Sequence, residues 1–379
     1  GEVTLESIEK KITSKTKIDE VQIIVVSDGS TDRTVEIVKS ISHIELIIFE
    51  RNRGYGAAIK AGWELGQGDY LAFLDADGTC DPQYFIQMCQ TMEAENADVV
   101  IGSRMGKNSK MPFNRRIGNI FFAQLLKFLS KKRITDSASG MRVIKKTSLS
   151  QLFPLPDGLH FTPAMSARVL MDHDLKICEI EMDYKERIGR SKLRVISDGF
   201  RFLNTILSTA LYIRPSSLSI PLSILIGIAG LFVAATPIQY YLEFGVVLES
   251  MIYRFIILFL LGSAVMSLFC FTVISEHTIA LTLLRYNRTK KLNYSWWSPN
   301  QIRLYFIIGI IFLVGAIYLL LPGILSFLET GQVNQLTIHW SRVMLAGFLF
   351  LDLIQLLLTA ISIKIIDSLN TRQAFLLKK

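Results

Sequence analysis

The chain has 379 residues, room for two domains of ordinary size, with a formal net charge of +8 and a mean hydropathy of +0.36. Half of its residues are hydrophobic, and the excess over an ordinary soluble protein lies beyond about residue 215. Much of the positive charge lies beside those apolar blocks, which excludes a nucleic-acid-binding surface in favour of juxtamembrane basic residues facing anionic lipid.

The chain opens at Gly1 without a signal peptide. The stretch "VQIIVVSDGS" reads as a buried strand ending in a turn, and "TDRTVEIVKSI" as the helix after it. A strand "IELIIFE", a helix "GYGAAIKAGWELG", a strand "YLAFLDADG", a helix "PQYFIQMCQTME" and a strand "ADVVIGSR" follow. Continuous apolar strands alternating with helices predict an α/β domain with a mostly parallel sheet. Ligands of such sheets bind beyond the carboxyl ends of the strands, and Asp28, Asp75, Asp77 and Arg104 all fall at that edge.

Asp75 and Asp77 flank a single alanine at a strand end, so both carboxylates can approach one site. Together they would repel. A hard divalent cation with oxygen ligands, Mg2+ or Mn2+, relieves that repulsion and can grip a diphosphate. Basic residues complete the set: Arg142 in "DSASGMRVIKK" after a small Ser139-Gly140 pair, and Arg187, Arg190, Ser191 and Lys192 in "ERIGRSKLRV". These supply donors for phosphate oxygens, and the second cluster equally suits anionic lipid. The four cysteines, Cys80, Cys89, Cys178 and Cys270, have neither paired nor metal-binding spacing and read as free thiols in a reducing compartment.

Ser197 is a candidate cap for an amphipathic helix in which Phe200, Leu203, Ile206, Leu207, Ala210 and Leu211 recur at helical spacing. The favoured reading of 197–214 is a juxtamembrane helix lying in the membrane surface; a core helix of the preceding domain is the alternative. Four apolar segments, about 216–236, 252–274, 302–321 and 343–365, are each long enough to cross a bilayer. Lysine and arginine concentrate before the first, after the second and after the fourth, which places both termini and the domain 1–196 on the cytoplasmic face. Arg254 and Arg342 sit near outer ends and are expected to snorkel, and Trp296 and Trp297 to mark the inner interface. Asp352 falls near the middle of the fourth span, where a charge costs about 3 kcal/mol on insertion, so it is expected to face protein or water.

The ordered set "VVSDGSTDRT", "RNRGYGAAIKAG", "LDADGTCDP", "IGSR", "DSASGMR" and "RIGRSK" resembles family 2 inverting glycosyltransferases of the GT-A fold. Within it the chain is most similar to polyprenyl-phosphate glycosyltransferases of the dolichyl-phosphate mannose synthase kind, over about residues 1 to 195. The resemblance implies that a hexose passes from a nucleoside diphosphate sugar, such as UDP-glucose or GDP-mannose, to a polyprenyl phosphate. By it, Asp28 contacts the nucleoside, Asp75 the ribose or sugar, and Asp77 the metal, with Asp75 as a second ligand and Thr79 as a weak one. Arg142, Arg187, Arg190, Ser191 and Lys192 hold phosphates, and Arg104 supports the donor pocket.

Three departures from the family pattern stand out. Ser27 replaces the first of two acids, and Thr79 stands where the mannose synthases place Gln. The family's first strand and its Pro-x-Tyr-Asn-Glu turn have no counterpart, and "GEVTLESIEKK" reads like the helix that follows that turn. The expectation is therefore a chain extending roughly 15 residues further upstream, the length of one strand and its turn. A processive polysaccharide synthase is a rival reading, weakened by the absence of Gln-x-x-Arg-Trp. A non-catalytic nucleotide-sugar-binding membrane module is another. A homo-oligomer is compatible with the sequence. The compartment follows the source: the plasma membrane of a prokaryote or the endoplasmic reticulum of a eukaryote.

Overall fold

The computed structural model describes residues 20–172, 174–186, 195–286, 299–332 and 338–376. The chain divides into two compact units, Gly1–Ile213 and Arg214–Lys379.

The first unit alternates as expected through β1 (Ile24–Asp28), α1 (Thr34–Lys39), β2 (Glu45–Phe49), α2 (Tyr55–Leu65), β3 (Tyr70–Phe73), α3 (Tyr84–Glu95) and β4 (Val99–Ser103). There follow α4 (Phe113–Ser130), β5 (Arg142–Lys145), the short α5 (Leu149–Leu152), α6 (Phe161–Met171), β6 (Ile177–Glu181) and α7 (Val195–Ile213). β1 pairs with β2 in parallel, and a second sheet has the order β3-β5-β4-β6. In that sheet β3, β4 and β6 run one way, as the mostly parallel expectation requires, and β5 alone runs against them.

The reversed strand positions the site. Arg142, the first residue of β5, lies in register with Phe73 of β3 and with Ile101 of β4. The segment entering β5 therefore arrives at the edge where β3 and β4 end. The sheet is covered on both faces, which is why β4, "VVIGS", is buried at every position. Val99 and Ile101 pack with Trp63, Phe161, Met165 and Val169 of α2 and α6 on one side. Val100 packs with Met88, Met92, Val143 and Ile180 on the other, the two-residue alternation of a strand. Burying each such side chain contributes about 1.5–3 kcal/mol.

In α7 the serine expected as a cap, Ser197, lies inside the helix. Phe202, Ile206 and Ala210 are buried, and the Phe202 ring meets Phe122 of α4 edge-on at 5.8 Å. Ile196, Phe200, Leu211 and Tyr212 are exposed. One stripe of α7 thus belongs to the core of the first unit while a second apolar stripe stays outside.

The second unit consists of α8 (Ser216–Phe244), α9 (Ile252–Tyr286), α10 (Pro299–Thr330) and α11 (Trp340–Leu376), all four long and apolar enough to cross a membrane. Their 29 to 37 residues exceed the expected spans. At 1.5 Å per residue they reach about 44–55 Å, against a hydrocarbon core of about 30 Å. The extra turns carry polar side chains: the Ser216 amide donates to Glu276 at 3.0 Å, and His277 Nε2 lies 2.7 Å from Asp367 Oδ1. Arg254 reaches from α9 to Thr236 Oγ1 of α8 at 3.1 Å. Asp352 is 2% exposed and faces protein, and Gln355, one turn on, donates to Ser267 Oγ of α9 at 3.2 Å. The sequence-predicted features at Trp296, Trp297 and the basic residues 288–291 lie outside the described residues.

Candidate active site

The carboxyl ends of β1 and β3 carry the three aspartates singled out in the sequence, and each is held by a different part of the chain. Asp28, the last residue of β1, accepts from the amides of Arg53 at 2.6 Å and Gly54 at 3.0 Å. A carboxylate there is what lets the turn leading into α2 keep two amides paired where no strand or helix serves them. Gly54 takes φ +109°, a backbone region that side chains rarely adopt. The Arg53 guanidinium lies 4.4 Å over the Phe49 ring.

Asp75 follows β3 by two residues. Its Oδ1 accepts from the Tyr55 hydroxyl at 2.8 Å, joining the first turn of α2 to the acidic loop. Burial raises the Tyr55 phenol well above its usual value, and the Asp75 charge adds to this, so Tyr55 is a committed donor. Its ring is held in the aromatic core, edge-on to Phe161 at 6.3 Å. Gly140 packs directly on the Asp75 carboxyl group, so closely that a β-carbon would overlap it. Asp75 is therefore fixed by a hydroxyl on one side and by bare backbone on the other.

Asp77 closes a tight turn over Gly78, which takes φ +72°. Its Oδ1 accepts from the Thr79 amide at 3.1 Å and from the Thr79 hydroxyl at 2.6 Å. Thr79 is buried, and its hydroxyl serves this carboxylate.

The two arginines ahead of residue 187 are engaged inside the protein. Arg104, at the end of β4, makes a fork to Asp136, with Nε 2.7 Å from Oδ2 and Nη2 2.9 Å from Oδ1, and its own amide donates to Oδ2 at 3.0 Å. Their side chains are 15% and 0% exposed. Burial alone would raise the Asp136 carboxyl; the Arg104 guanidinium more than offsets that and holds it below its usual value. Glu179 of β6 accepts the Thr135 and Asp136 amides at 2.7 and 2.9 Å.

Arg142 is 0% exposed. It donates to the carbonyls of Ser139 and Ser137 and to Ser166 Oγ, at 3.1, 3.0 and 2.9 Å, while Nη1 has no partner among the described residues. Burial with no carboxylate in direct contact pulls its guanidinium down to about 10. The Ser139 hydroxyl is itself tied to the Gly102 carbonyl. The segment expected to be flexible is thus a fastened loop. Arg187, Arg190, Ser191 and Lys192 lie outside the described residues.

Sequence reasoning missed Tyr55, Asp136, Glu179 and Ser166. Tyr55 and Asp136 both stand inside quoted motifs, and a buried tyrosine or an acid beside a small-residue loop is the signal that could have found them. Nothing local marks Glu179 or Ser166.

Residues 2–153 match the family described as Glycosyl transferase family 2. The chain is 30% identical over 203 residues to the low-salt glycan biosynthesis hexosyltransferase Agl6 of Haloferax volcanii, a match covering 52% of this chain and 48% of the relative. It is 29% identical over 180 residues to the dolichyl-phosphate hexose transferase of the same organism, covering 46% and 75%. A solved structure similar to it is glucosyl-3-phosphoglycerate synthase from Mycobacterium tuberculosis, with 19% identity, a TM-score of 0.42 and coverage of 55% and 74%. The chain thus spans about half the length of the first relative and three quarters of the second.

Proposed function

We propose that this chain, which carries a glycosyl transferase family 2 domain over residues 2–153, transfers a hexose from a nucleoside diphosphate sugar to a polyprenyl phosphate at a membrane. The observation that carries the reading is the immobilised Asp75, clamped between the Tyr55 hydroxyl and Gly140 at the carboxyl edge of the sheet, with Asp77 one residue beyond. A site that must orient a sugar nucleotide gains from carboxylates that cannot swing away. The two named Haloferax volcanii relatives, a hexosyltransferase and a dolichyl-phosphate hexose transferase, support the same class, and the four apolar helices suit a lipid acceptor.

In the reaction a phosphate oxygen of the acceptor attacks the anomeric carbon. The bond from that carbon to the diphosphate oxygen breaks, and the departing nucleoside diphosphate takes the electron pair. A single displacement inverts the anomeric centre. The acceptor's second phosphate pKa is about 6, so it is largely ionised and needs no dedicated base. Asp75 orients the ribose or sugar, and Asp28 keeps the 53–54 turn shaped for the nucleoside.

The acidic pair fits a divalent cation. Asp75 and Asp77 offer hard oxygen ligands one residue apart, and no cluster of three His, Cys, Asp or Glu occurs among the described residues. That is the donor set of an ion that completes its shell with phosphate and water. Mg2+ or Mn2+ held by Asp77 and Asp75 would supply charge neutralisation at the leaving diphosphate. The Thr79 hydroxyl orients Asp77, and the donor-side Arg104 acts through its pair with Asp136. Arg142 fastens the loop 136–142 and acts as a positioning residue. Arg187, Arg190, Ser191 and Lys192 are assigned to the acceptor phosphate on the sequence pattern. The loop charges place this site on the cytoplasmic side.

The test is transfer by the full chain in membranes with Mn2+ or Mg2+, offered radiolabelled UDP-glucose, GDP-mannose and other nucleotide sugars. Label is expected in the organic phase from one donor, abolished by EDTA and by Asp77→Asn. Label in an insoluble polymer would assign a processive synthase instead. Donor binding without any transfer would leave a binding module.

A further inference from the structure

The helix α4 is apolar on two sides, and only one side is used by the core. Asn119, Phe122, Ala123, Leu126 and Leu129 are buried. Eight positions face outward: Phe113, Asn114, Ile117, Ile120, Phe121, Gln124, Lys127 and Phe128. Five of these are large and apolar, with Phe113 78% and Phe128 62% exposed. A helix facing water alone would carry polar residues there, and so continuous a stripe marks a surface that meets something apolar.

The charge around the stripe identifies the partner. Residues 105–133 contain eight lysines and arginines and not one aspartate or glutamate. Lys107, Lys110, Lys127, Lys131 and Arg133 are exposed. An outward aromatic and aliphatic stripe bordered by uncompensated positive charge is the chemistry of a helix lying in the headgroup region of an anionic bilayer. An apolar protein partner would need the stripe but not the charge. Chain continuity agrees: α4 packs on α7 through Phe122 and Phe202, and α7 ends at Ile213, three residues before the first candidate span begins at Ser216.

We infer that α4 is a second membrane-docking element, separate from the spanning helices, which inserts Phe113, Ile117, Ile120, Phe121 and Phe128 among anionic lipid headgroups. Docking through α4 and α7 together is a two-point attachment that fixes which side of the catalytic unit turns toward lipid. A lone tether through residues 214–215 would leave that orientation free. The inference rests on burial and charge and is independent of the proposed activity.

The experiment uses the full chain, one copy per nanodisc. Phe121→Cys is made in a Cys178→Ser background, the other three cysteines being buried, and labelled with an environment-sensitive fluorophore. In discs containing phosphatidylglycerol the emission is expected to shift to the blue and to be quenched by brominated acyl chains. A label at the exposed Lys39 of α1 is expected to stay unquenched. Each basic residue near an anionic surface is worth about fivefold in partitioning. Lys127→Glu with Lys131→Glu is therefore expected to remove most of the quenching without moving the thermal unfolding midpoint, since both side chains are exposed. A water-like emission at position 121, repeated at Phe128→Cys, would overturn the inference. So would a blue-shifted label that brominated lipid does not quench, which would assign the stripe to a protein surface. Equal quenching in purely zwitterionic discs would overturn the charge argument.

Discussion

Replacing Asp136 by Ala removes the only carboxylate in direct contact with the Arg104 guanidinium, and its consequence can be worked from geometry. The wild-type carboxylate accepts four hydrogen bonds: from Arg104 Nε at 2.7 Å, Nη2 at 2.9 Å and the Arg104 amide at 3.0 Å, and from the Ala138 amide at 3.1 Å. The variant leaves a guanidinium whose side chain is 15% exposed without a counter-charge. Stranding one member of a buried pair costs about 3–5 kcal/mol. For a unit of this size each kcal/mol moves the unfolding midpoint by about 2–4 °C, so a drop of about 6–20 °C is expected. Pulse proteolysis of the full chain in detergent at increasing temperature reads the protease-resistant fraction of the first unit. The double variant Arg104→Met with Asp136→Leu, which removes both charges, is expected to recover most of the loss. If Asp136→Ala unfolds at the wild-type midpoint, or if the double variant is worse than the single, the buried-pair reasoning fails.

Gly140→Ala drives a β-carbon into the Asp75 carboxyl group, and its close contact is a side-chain tip. The variant should fold normally and lose transfer activity, measured as label in the organic phase against the thermal midpoint. Tyr55→Phe deletes a hydrogen bond to a charged acceptor, worth about 1.5–3 kcal/mol, so kcat/KM is expected to fall about tenfold to a hundredfold with little change in folding. The Asp136 carboxyl is held below its ordinary value. Such a group contributes stability that is complete above its unfolded value, about 3.9, and lost as pH falls through its folded value. Acid titration of the first unit should therefore show a loss of stability below about pH 4, and the Arg104→Met, Asp136→Leu variant should lack that component.

Much of the fold and part of the site were legible in the sequence. Strands up to β4 and helices up to α3 are continuous apolar runs and amphipathic turns with clear punctuation, which a local reading resolves. Beyond residue 104 the reading caught the motifs and α7 but not α4, β5, α6 or β6 as elements. β5 is a four-residue strand, too short for a period to register. α6 is buried on nearly all sides, so it has no amphipathic pattern to find. In α4 the outward phenylalanines and isoleucines break the alternation of apolar and polar faces by which a surface helix is recognised. Arg104 and Arg142 were read as phosphate donors because an arginine's charge is visible in a sequence and its partner is not.

The sequence alone determined the class of the molecule: an α/β unit with acidic residues at its strand ends, then four apolar segments each long enough to cross a bilayer. Both follow from short-range pattern, since a strand or a span is defined by residues adjacent in the chain. Only the tertiary structure decided what the charged groups do. Asp75 meets Tyr55 across 20 residues and Arg104 meets Asp136 across 32. Gly140 reaches Asp75 because β5 runs against its neighbours and brings its entering loop to their carboxyl ends. The direction of one short strand is set by packing on both faces of the sheet, and no local pattern encodes it.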